Sequence, residues 1–409
     1  MGFFAAAVAE RKAMDPLALF AEIARAGRTS KAGQVVNLET AIRVATFFAC
    51  LKVLSQGVAQ VPFKLFQEGE SNGLAMIKPA RGHRLYDVVS TMPNDWQTSF
   101  EFREQMVIHA AIGNAYAWKN RTINGIVELI LLDPARMVVE QPNEYEPPIY
   151  KYTGKDGFTL PMPAEQIWHV RGPSWSGFLG CDVIGIARDV LGLTLAIEGS
   201  VSGLHKNGAQ PSGVYTVDAV LDDPQHKKVT KWLKENAAEP GAPLVLDRGA
   251  KWLQQTMTSI DAQTREMRNA QIEEVCRIMG VMPIMVGYSD KASTYASSEQ
   301  MFLAHVIHTL NPWYARIEQS ADVNLLTKME RARGYYFKFN ANGLMRGAAK
   351  DRAEYYGKAL GSGGGQGWMT ADEVRQLEEM NPMGGDAAKI PAPSNQKPPA
   401  DPPADPLPA

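Results

Sequence analysis

Small hydroxyl-bearing side chains are concentrated in one polar segment, VGYSDKASTYASSEQMF at residues 286–302. A serine or threonine there could act as a nucleophile, hold a phosphate group, or form a polar surface presented to another molecule. A serine nucleophile needs a neighbouring general base and donors for an oxyanion. The segment contains neither a Gly-x-Ser-x-Gly elbow nor a Ser-x-x-Lys motif. The pattern disfavours catalysis, and the candidates for contact with another molecule are Ser289, Lys291, Ser293, Thr294, Tyr295 and Ser297.

Other groups that could hold a phosphate, metal or cofactor lack the required spacing. The glycine cluster 361–367 has neither the Gly-x-Gly-x-x-Gly register nor a following Lys-Ser/Thr, so it predicts a flexible joint. His305 and His308 could share one face of a helix, but the glutamate of a His-Glu-x-x-His zinc motif is missing. We expect these histidines to line a helix–helix contact or an interface. The sequence predicts no enzyme, no metal site and no cofactor.

The three cysteines, Cys50, Cys181 and Cys276, are far apart in the sequence. Their number and spacing fit neither a disulfide framework nor a zinc site. We expect small buried side chains in a reduced compartment.

The overall charge restricts the kind of partner. There are 42 basic and 44 acidic residues, which gives a formal net charge of −2. Static binding of nucleic acid is dominated by phosphate neutralisation and usually requires a basic excess. Any contact with nucleic acid is therefore expected to be weak or local. No apolar run is long enough for a membrane span, and the start of the chain lacks the basic region of a signal peptide, so no membrane contact is predicted.

Helices are predicted on both sides of a β-rich region. Apolar residues at helical spacing, including Ile42 and Phe48, predict a helix over 38–61. Thr98 and Glu101 have capping-box spacing and predict a second helix that ends near Gly113. From 115 to 171, short β-rich runs are separated by Gly, Pro and Asn-Gly, which predicts a sheet layer against the helices. His169 in this region is expected to be a structural hydrogen bonder.

The second half alternates between long helices and short strands. Helices are predicted over 182–206 and, with Ser259 or Asp261 as the cap, over 261–280, with a strand–helix–strand segment at 212–257 between them.

A further helix over 298–328 is predicted to start with a Ser297–Gln300 capping box. Pro312 lies inside it and should kink it near His308. The sequence GYYFKFN reads as a strand, and a last helical region, 345–380, should be capped in its second half by Thr370 and Glu373. From 382 onward the Pro-rich sequence predicts disorder. The fold class is α+β.

Several phrases, in this order, resemble the portal proteins of tailed phages of the long-tailed siphophage type. The resemblance covers roughly residues 38–345. It rests on ETAIRVATFFACLKVLSQGVAQVPFKL, MPNDWQTSFEFREQMVIHAAIGNAYAW, LILLDPARM, IWHVRG, KNGAQPSGV, VMPIMVG and STYASSEQMFLAHVIHTLNPWYARIEQ. A virion portal, a prophage portal and the portal of a gene transfer particle all fit these phrases.

The resemblance implies a ring subunit with a wing of helices and β-sheet, a helical stem, an α/β clip, a kinked long helix and a short helical crown. The segments are 1–37 (lead-in), 38–181 (wing), 182–206 (stem helix), 207–258 (clip), 259–280 (second stem helix), 281–297 (tunnel loop), 298–344 (kinked helix and returning wing strand), 345–381 (crown) and 382–409 (Pro-rich tail).

The family resemblance also implies a function and partners. The subunits would form a ring, twelve-membered in the family, at one capsid vertex of the virion, through which double-stranded DNA is packaged and ejected. The tunnel loop would face the DNA channel. The implied partners are other copies of the chain, the terminase large subunit, a head–tail adaptor and the major capsid protein, with assembly in the host cytoplasm.

Two other interpretations fit parts of the sequence. One is a hydrolase that uses the Ser/Thr segment with His305 or His308. The other is a different ring-forming head–tail adaptor, although the clip-like insertion between two helices argues against it.

Overall fold

The structure is a computed structural model of the 409-residue chain. It describes residues 28–71, 74–123, 125–206, 214–216, 222–224, 226–228, 231, 251–253, 258–288, 295–340, 349–362, 365–378 and 380–391. The chain divides into two compact units, Met1–Phe339 and Asn340–Ala409.

The strands are short and mostly belong to the first half of the chain. They are β1 (Arg28–Thr29), β2 (Val35–Val36), β3 (Phe63–Ser71), β4 (Leu74–Pro79), β5 (Asn114–Thr122), β6 (Gly125–Leu132), β7 (Met137–Glu140), β8 (Ile149–Thr153), β9 (Thr159–Met162), β10 (Ile167–Arg171), β11 (Val214–Thr216), β12 (Lys251–Leu253) and β13 (Tyr335–Phe339).

The α-helices surround these strands in the first unit and form the second unit with short turns. They are α1 (Leu38–Arg43), α2 (Ala45–Ala59), α3 (Arg84–Ser90), α4 (Ser99–Ile112), α5 (Val183–Ile186), α6 (Arg188–Lys206), α7 (Thr258–Met279), α8 (Tyr295–His305), α9 (Asn311–Asn324), α10 (Lys328–Ala332), α11 (Ala349–Ala359) and α12 (Ala371–Leu377). None of the described helices is long and apolar enough to cross a membrane.

The β-rich region predicted at 115–171 forms two three-stranded antiparallel sheets, with strand orders β10-β5-β6 and β7-β8-β9. A third sheet, β13-β3-β4, joins the predicted strand GYYFKFN to the strand that follows α2. The α+β class predicted from the sequence is confirmed.

The predicted helix over 38–61 is two helices, because the backbone at Val44 is extended between α1 and α2. The predicted apolar positions are buried only in part. Leu54 and Val58, which belong to the predicted set, are buried, whereas Ile42 and Phe48 are exposed and Phe47 is buried beside Leu54. Apolar residues occur on more than one side of this helix, so the sequence pattern could not fix the buried side along its whole length.

At the other helices, some local sequence signals were sufficient to predict the helix ends and others were not. The capping box at Thr98 and Glu101 is present, and α4 begins at Ser99 as predicted. The predicted helix over 182–206 is broken at Ala187. The prediction that Ser259 or Asp261 caps the next helix is wrong, because α7 already begins at Thr258. In the predicted clip, β11 pairs with β12, while the sequence APLVL at 242–246, which was expected to form the second strand, lies outside the described residues.

The predicted helix over 298–328 begins earlier and is interrupted. It starts at Tyr295, so Ser297 lies inside α8 and does not cap it. A π-helical turn, Val306–Leu310, separates α8 from α9, and Pro312 lies in the first turn of α9. Proline has no amide hydrogen and its ring crowds the carbonyl one turn earlier, which here belongs to His308. The irregularity expected near His308 is therefore present, as a π-helical turn.

In the second unit, short-range polar contacts hold α12 and the following turn. The predicted cap is present: the Glu373 carboxylate accepts from the Thr370 amide at 2.8 Å, and the Glu373 amide donates to the Thr370 hydroxyl at 3.1 Å. The Asp372 carboxylate accepts from the amides of Met383 and Gly384 at 2.7 and 2.8 Å. The described part of the Pro-rich region includes a 3₁₀ turn, Gly385–Ala388, and residues 392–409 lie outside the described residues.

A buried histidine links the two sheets of the β-rich region. Tyr116, Tyr150 and His169 pack together, and the His169 Nε2–H donates to Asn114 Oδ1 at 2.9 Å, while Nδ1 accepts from the Tyr150 hydroxyl at 3.1 Å. His169 is thus the structural hydrogen bonder that the sequence predicted. Its burial, with a smaller contribution from Arg171, lowers the pKa of His169 to about 3.

Three glycines allow three backbone segments to cross beyond the end of α4. The Gly172 amide donates to the Gly113 carbonyl at 2.7 Å. A Cβ at Gly180 would lie 1.9 Å from that carbonyl oxygen, and a Cβ at Gly172 would lie 2.5 Å from the Ala110 carbonyl oxygen. Neither contact can be relieved by a rotamer change, because the opposing atoms are backbone. This junction fixes the end of β10 against α4.

The low pKa of His169 predicts a pH-dependent loss of stability. Between its ordinary value near 6.5 and about 3, the unfolded chain binds a proton at this site and the folded chain does not, so stability falls as the pH falls. By pH 5 the loss is about 2 kcal/mol. Urea unfolding at pH 8 and pH 5 should show the gap between wild type and His169→Gln narrowing by that amount. Equal gaps at the two pH values would contradict the assignment.

The glycine junction predicts unequal effects of one substitution at two sites. Gly180→Ala should lower the free energy of unfolding by at least about 3 kcal/mol, because the backbone must separate. Gly199→Ala, on an exposed part of α6 with no atom within 4 Å of the added Cβ, should leave it unchanged or raise it by up to about 1 kcal/mol. Thermal unfolding of both variants checks this, and equal effects would contradict the role of the junction.

Candidate functional site

The residues singled out in the polar segment fall into two groups in the structure. Ser289, Lys291, Ser293 and Thr294 lie outside the described residues. Tyr295 and Ser297 lie on the first turn of α8. The loop predicted over 281–297 therefore extends no further than residue 294, because α8 begins at Tyr295.

After α7 the chain passes through two glycines with left-handed backbone conformation, Gly280 and Gly287. Gly280 has φ +66°, and the next amide, that of Val281, donates back to the Cys276 carbonyl at 3.0 Å. A 3₁₀ turn, Pro283–Val286, follows and stops at Gly287 with φ +81°. Glycine adopts these angles without the steric cost that other residues incur, so both reversals are specified by the sequence. The approach to the polar segment is thus a defined turn.

A hydrogen bond joins the two parts of the chain that flank the polar segment. The Thr309 hydroxyl, in the π-helical turn after α8, donates to the Gly280 carbonyl at the end of α7 at 3.0 Å. This carbonyl is one that a helix end leaves without an intrahelical partner. The bond therefore brings the end of α7 next to the turn that follows α8, and the polar segment lies in the sequence between these two points.

Both flanking parts are also packed on one buried helix, α2. On the outgoing side, Cys276 of α7 contacts Cys50 of α2, with 3.9 Å between the two sulfur atoms. On the returning side, Leu310 lies against Gly57, where an added Cβ would be 2.8 Å from the leucine Cδ2. The Tyr314 hydroxyl of α9 donates to the Gly57 carbonyl at 2.9 Å. These contacts are buried, so both flanking parts belong to the core.

His305 and His308 do not share a face. His305 is 3% exposed, and burial lowers its pKa, whereas His308 is exposed. The intervening π-helical turn adds residues per turn and rotates the second side chain away from the first. His305 fits the expected helix–helix contact, and for the exposed His308 the alternative expectation, a position at an interface, stays a prediction. Among the described residues, no three His, Cys, Asp or Glu side chains are grouped to hold a metal ion.

A cleft of about 560 Å³ lies between the end of β10 and α9. Arg316 reaches across it and donates to the carbonyls of Arg171 and Gly172 at 3.1 and 2.8 Å, with its guanidinium 5.5 Å from the centre of the Trp313 ring. Sequence reasoning missed this site, since its residues are 145 positions apart. Arg316 supplies the end of β10 with hydrogen-bond donors, which indicates a role in holding α9 on the sheet.

Comparison with known proteins supports the resemblance seen in the sequence. The family described as "Phage portal protein" matches residues 45–379. The portal protein of Enterobacteria phage HK97 is 28% identical over 360 residues, which cover 86% of this chain and 82% of that protein.

Solved structures share the fold. An HK97-family phage portal protein from Corynebacterium diphtheriae has a TM-score of 0.56 at 14% identity, covering 77% of this chain and 99% of that one. A chain from the neck of a native gene transfer agent particle, computed with C12 symmetry, has a TM-score of 0.53 at 20% identity, covering 89% and 99%. With the family match over most of the chain, these similarities show that the protein belongs to the phage portal protein family, of the siphophage type represented by HK97.

Proposed function

We propose that the chain is one subunit of a portal ring at a capsid vertex and that residues 289–297 of its polar segment face the DNA in the channel. The observation that carries the proposal is the family match over residues 45–379, which includes both ends of this segment. The portal proteins of the family are structural parts of the head–tail connection.

The proposed ring has twelve copies of the chain. The related gene transfer agent neck was computed with C12 symmetry, which supports this number. Gene transfer particles and phage virions both contain portal-fold chains, so either kind of particle fits. The terminase large subunit, a head–tail adaptor and the major capsid protein are the proposed partners, and the motor for DNA transport would belong to the terminase.

The composition of the polar segment suits a surface past which DNA slides. Each neutralised phosphate adds affinity through counterion release, so many basic groups would trap the DNA. The segment 289–297 has one lysine, Lys291, and one aspartate, Asp290, among small hydroxyl residues. Side chains of this kind offer hydrogen bonds to the backbone and do not read base sequence. The proposed contact is weak and repeats identically in every subunit.

The fixed flanking elements give this weak contact a defined position. Thr309 ties together the two elements that flank the segment, and α2 holds both of them, so the chain leaves and re-enters the core at fixed positions in every subunit. In the proposed ring, α6 and α7 form the stem, β11 and β12 belong to the clip, and residues 345–381, within the unit Asn340–Ala409, form the crown.

Electron microscopy of the purified full-length chain tests the ring directly. We expect rings with a central hole and twelve-fold averages in negative stain. A monodisperse monomer that hydrolyses ester or peptide substrates would overturn the proposal in favour of the hydrolase interpretation.

The role of the polar segment is tested by charge reversal. Lys291→Glu places a ring of negative charge where DNA passes, so nuclease-protected DNA per particle should fall on the order of tenfold in a complementation assay. Tyr295→Ala should reduce DNA retention. Lys155→Glu, the same charge change on the exposed turn between β8 and β9, is the matched control and should package DNA normally. Normal packaging by both segment variants, with rings intact, would contradict the channel assignment and leave the portal assignment standing.

A further inference from the structure

Two cysteines from distant parts of the chain meet in the core of the first unit. Cys50 lies in the middle of α2, and Cys276 lies one turn before the end of α7, 226 positions later. Their sulfur atoms are 3.9 Å apart, and the residues are 0% and 1% exposed. Both are free thiols, and the third cysteine, Cys181, is partly exposed.

The two thiols are chemically unequal. A hydrogen bond between them raises the pKa of Cys50, and burial adds to that effect; the same hydrogen bond lowers the pKa of Cys276. Either sulfur can donate this hydrogen bond, and the directions of the two pKa shifts favour Cys276 as the sulfur that becomes a thiolate first. A nucleophilic thiolate beside a protonated thiol is the arrangement of an attacking and a resolving cysteine.

We propose that Cys50 and Cys276 are an oxidative modification site, at which a small peroxide converts the two thiols into an intrachain disulfide between α2 and α7. The inference goes beyond the proposed function. The disulfide itself does not depend on that function, and only its effect on the channel does.

The chemistry requires one peroxide for each pair. The Cys276 thiolate attacks a peroxide oxygen, the O–O bond breaks, and, with one proton taken up, water leaves and a sulfenic acid remains on Cys276. The Cys50 sulfur then attacks the Cys276 sulfur and displaces the hydroxyl group, which leaves as water with the Cys50 proton. The two sulfurs are oxidised to a disulfide and the peroxide is reduced to two waters.

The geometry requires only a short approach. A disulfide has sulfur atoms about 2.05 Å apart, so the thiols must close by about 2 Å. Cys50 is held in the centre of α2, but Cys276 is close to the end of α7, where Gly280 begins a turn. Side-chain rotation and a small shift of the last helical turn supply the movement. A small peroxide suits the buried site better than a bulky disulfide reagent.

The disulfide would fix the helix that leads into the polar segment. In the reduced protein, α7 is held on α2 by packing, and the Thr309 hydroxyl donates a hydrogen bond to the carbonyl of Gly280. A covalent bond at Cys276, four residues before Gly280, would join the outgoing end permanently to the core. It would also close a long loop in the unfolded chain, which restricts that state.

The test uses the purified full-length chain treated with hydrogen peroxide, followed by denaturation, alkylation and peptide mass mapping. Wild type and Cys181→Ala should yield a Cys50–Cys276 cross-linked peptide that is lighter by two hydrogen atoms than the two free peptides. The unfolding temperature of the oxidised protein should rise by about 5 °C or more, and a reducing agent should reverse the rise.

Single variants assign the two roles. With Cys50→Ala, a dimedone-type probe should trap sulfenic acid at Cys276; with Cys276→Ala, the probe should leave Cys50 unlabelled. The proposal is overturned if both thiols of folded wild type remain alkylatable after Cys181 is fully oxidised, or if the disulfide includes Cys181. Ring formation by untreated protein is scored separately, so failure of the disulfide and failure of the portal assignment are distinguishable.

Discussion

The close approach of Leu310 to Gly57 is the contact on which the rest of the candidate site depends. An added Cβ at position 57 would lie 2.8 Å from Leu310 Cδ2, so the glycine lets the leucine of the π-helical turn pack closely on α2. The Tyr314 hydroxyl then reaches the Gly57 carbonyl, and the Thr309 hydroxyl reaches the end of α7. One helix thereby positions both parts of the chain that flank the polar segment.

The π-helical turn is the local consequence of two demands on one stretch. Pro312 cannot donate an amide hydrogen bond, and its ring crowds the preceding turn. At the same time Thr309 and Leu310 must both point toward the core, and they are buried. A wider turn meets both demands, and it also turns His308 to solvent while His305 stays inside. The separation of these two histidines, which in a regular helix would be near neighbours, follows from the proline.

Interactions between residues close in the sequence were the ones that could be predicted, whereas interactions between distant residues could not. The capping boxes at Thr98 and Thr370 join residues three apart, and both were predictable. The breaks at Val44 and Ala187 were not, because the apolar pattern continues through them and packing decides the break. For the candidate site, the polar residue types and the family resemblance indicated the segment, and Pro312 indicated the irregular helix. The contacts that hold it involve pairs such as Cys50–Cys276, 226 positions apart, which no local pattern indicates.

In the proposed channel, a surface that must hold DNA weakly has to obtain its precise position from contacts other than those with DNA. Strong contacts would order the segment by binding, but they would also stop the movement of DNA. A segment poor in charge avoids that trap, and its position must then be supplied from behind. Buried contacts on α2 provide this, since their free energy comes from packing within the subunit and does not depend on what passes. Buried flanking contacts and a sparsely charged segment are therefore complementary requirements of the proposed channel surface. In this chain they are neighbours in the sequence: α7 and the π-helical turn make the buried contacts, and the polar segment lies between them.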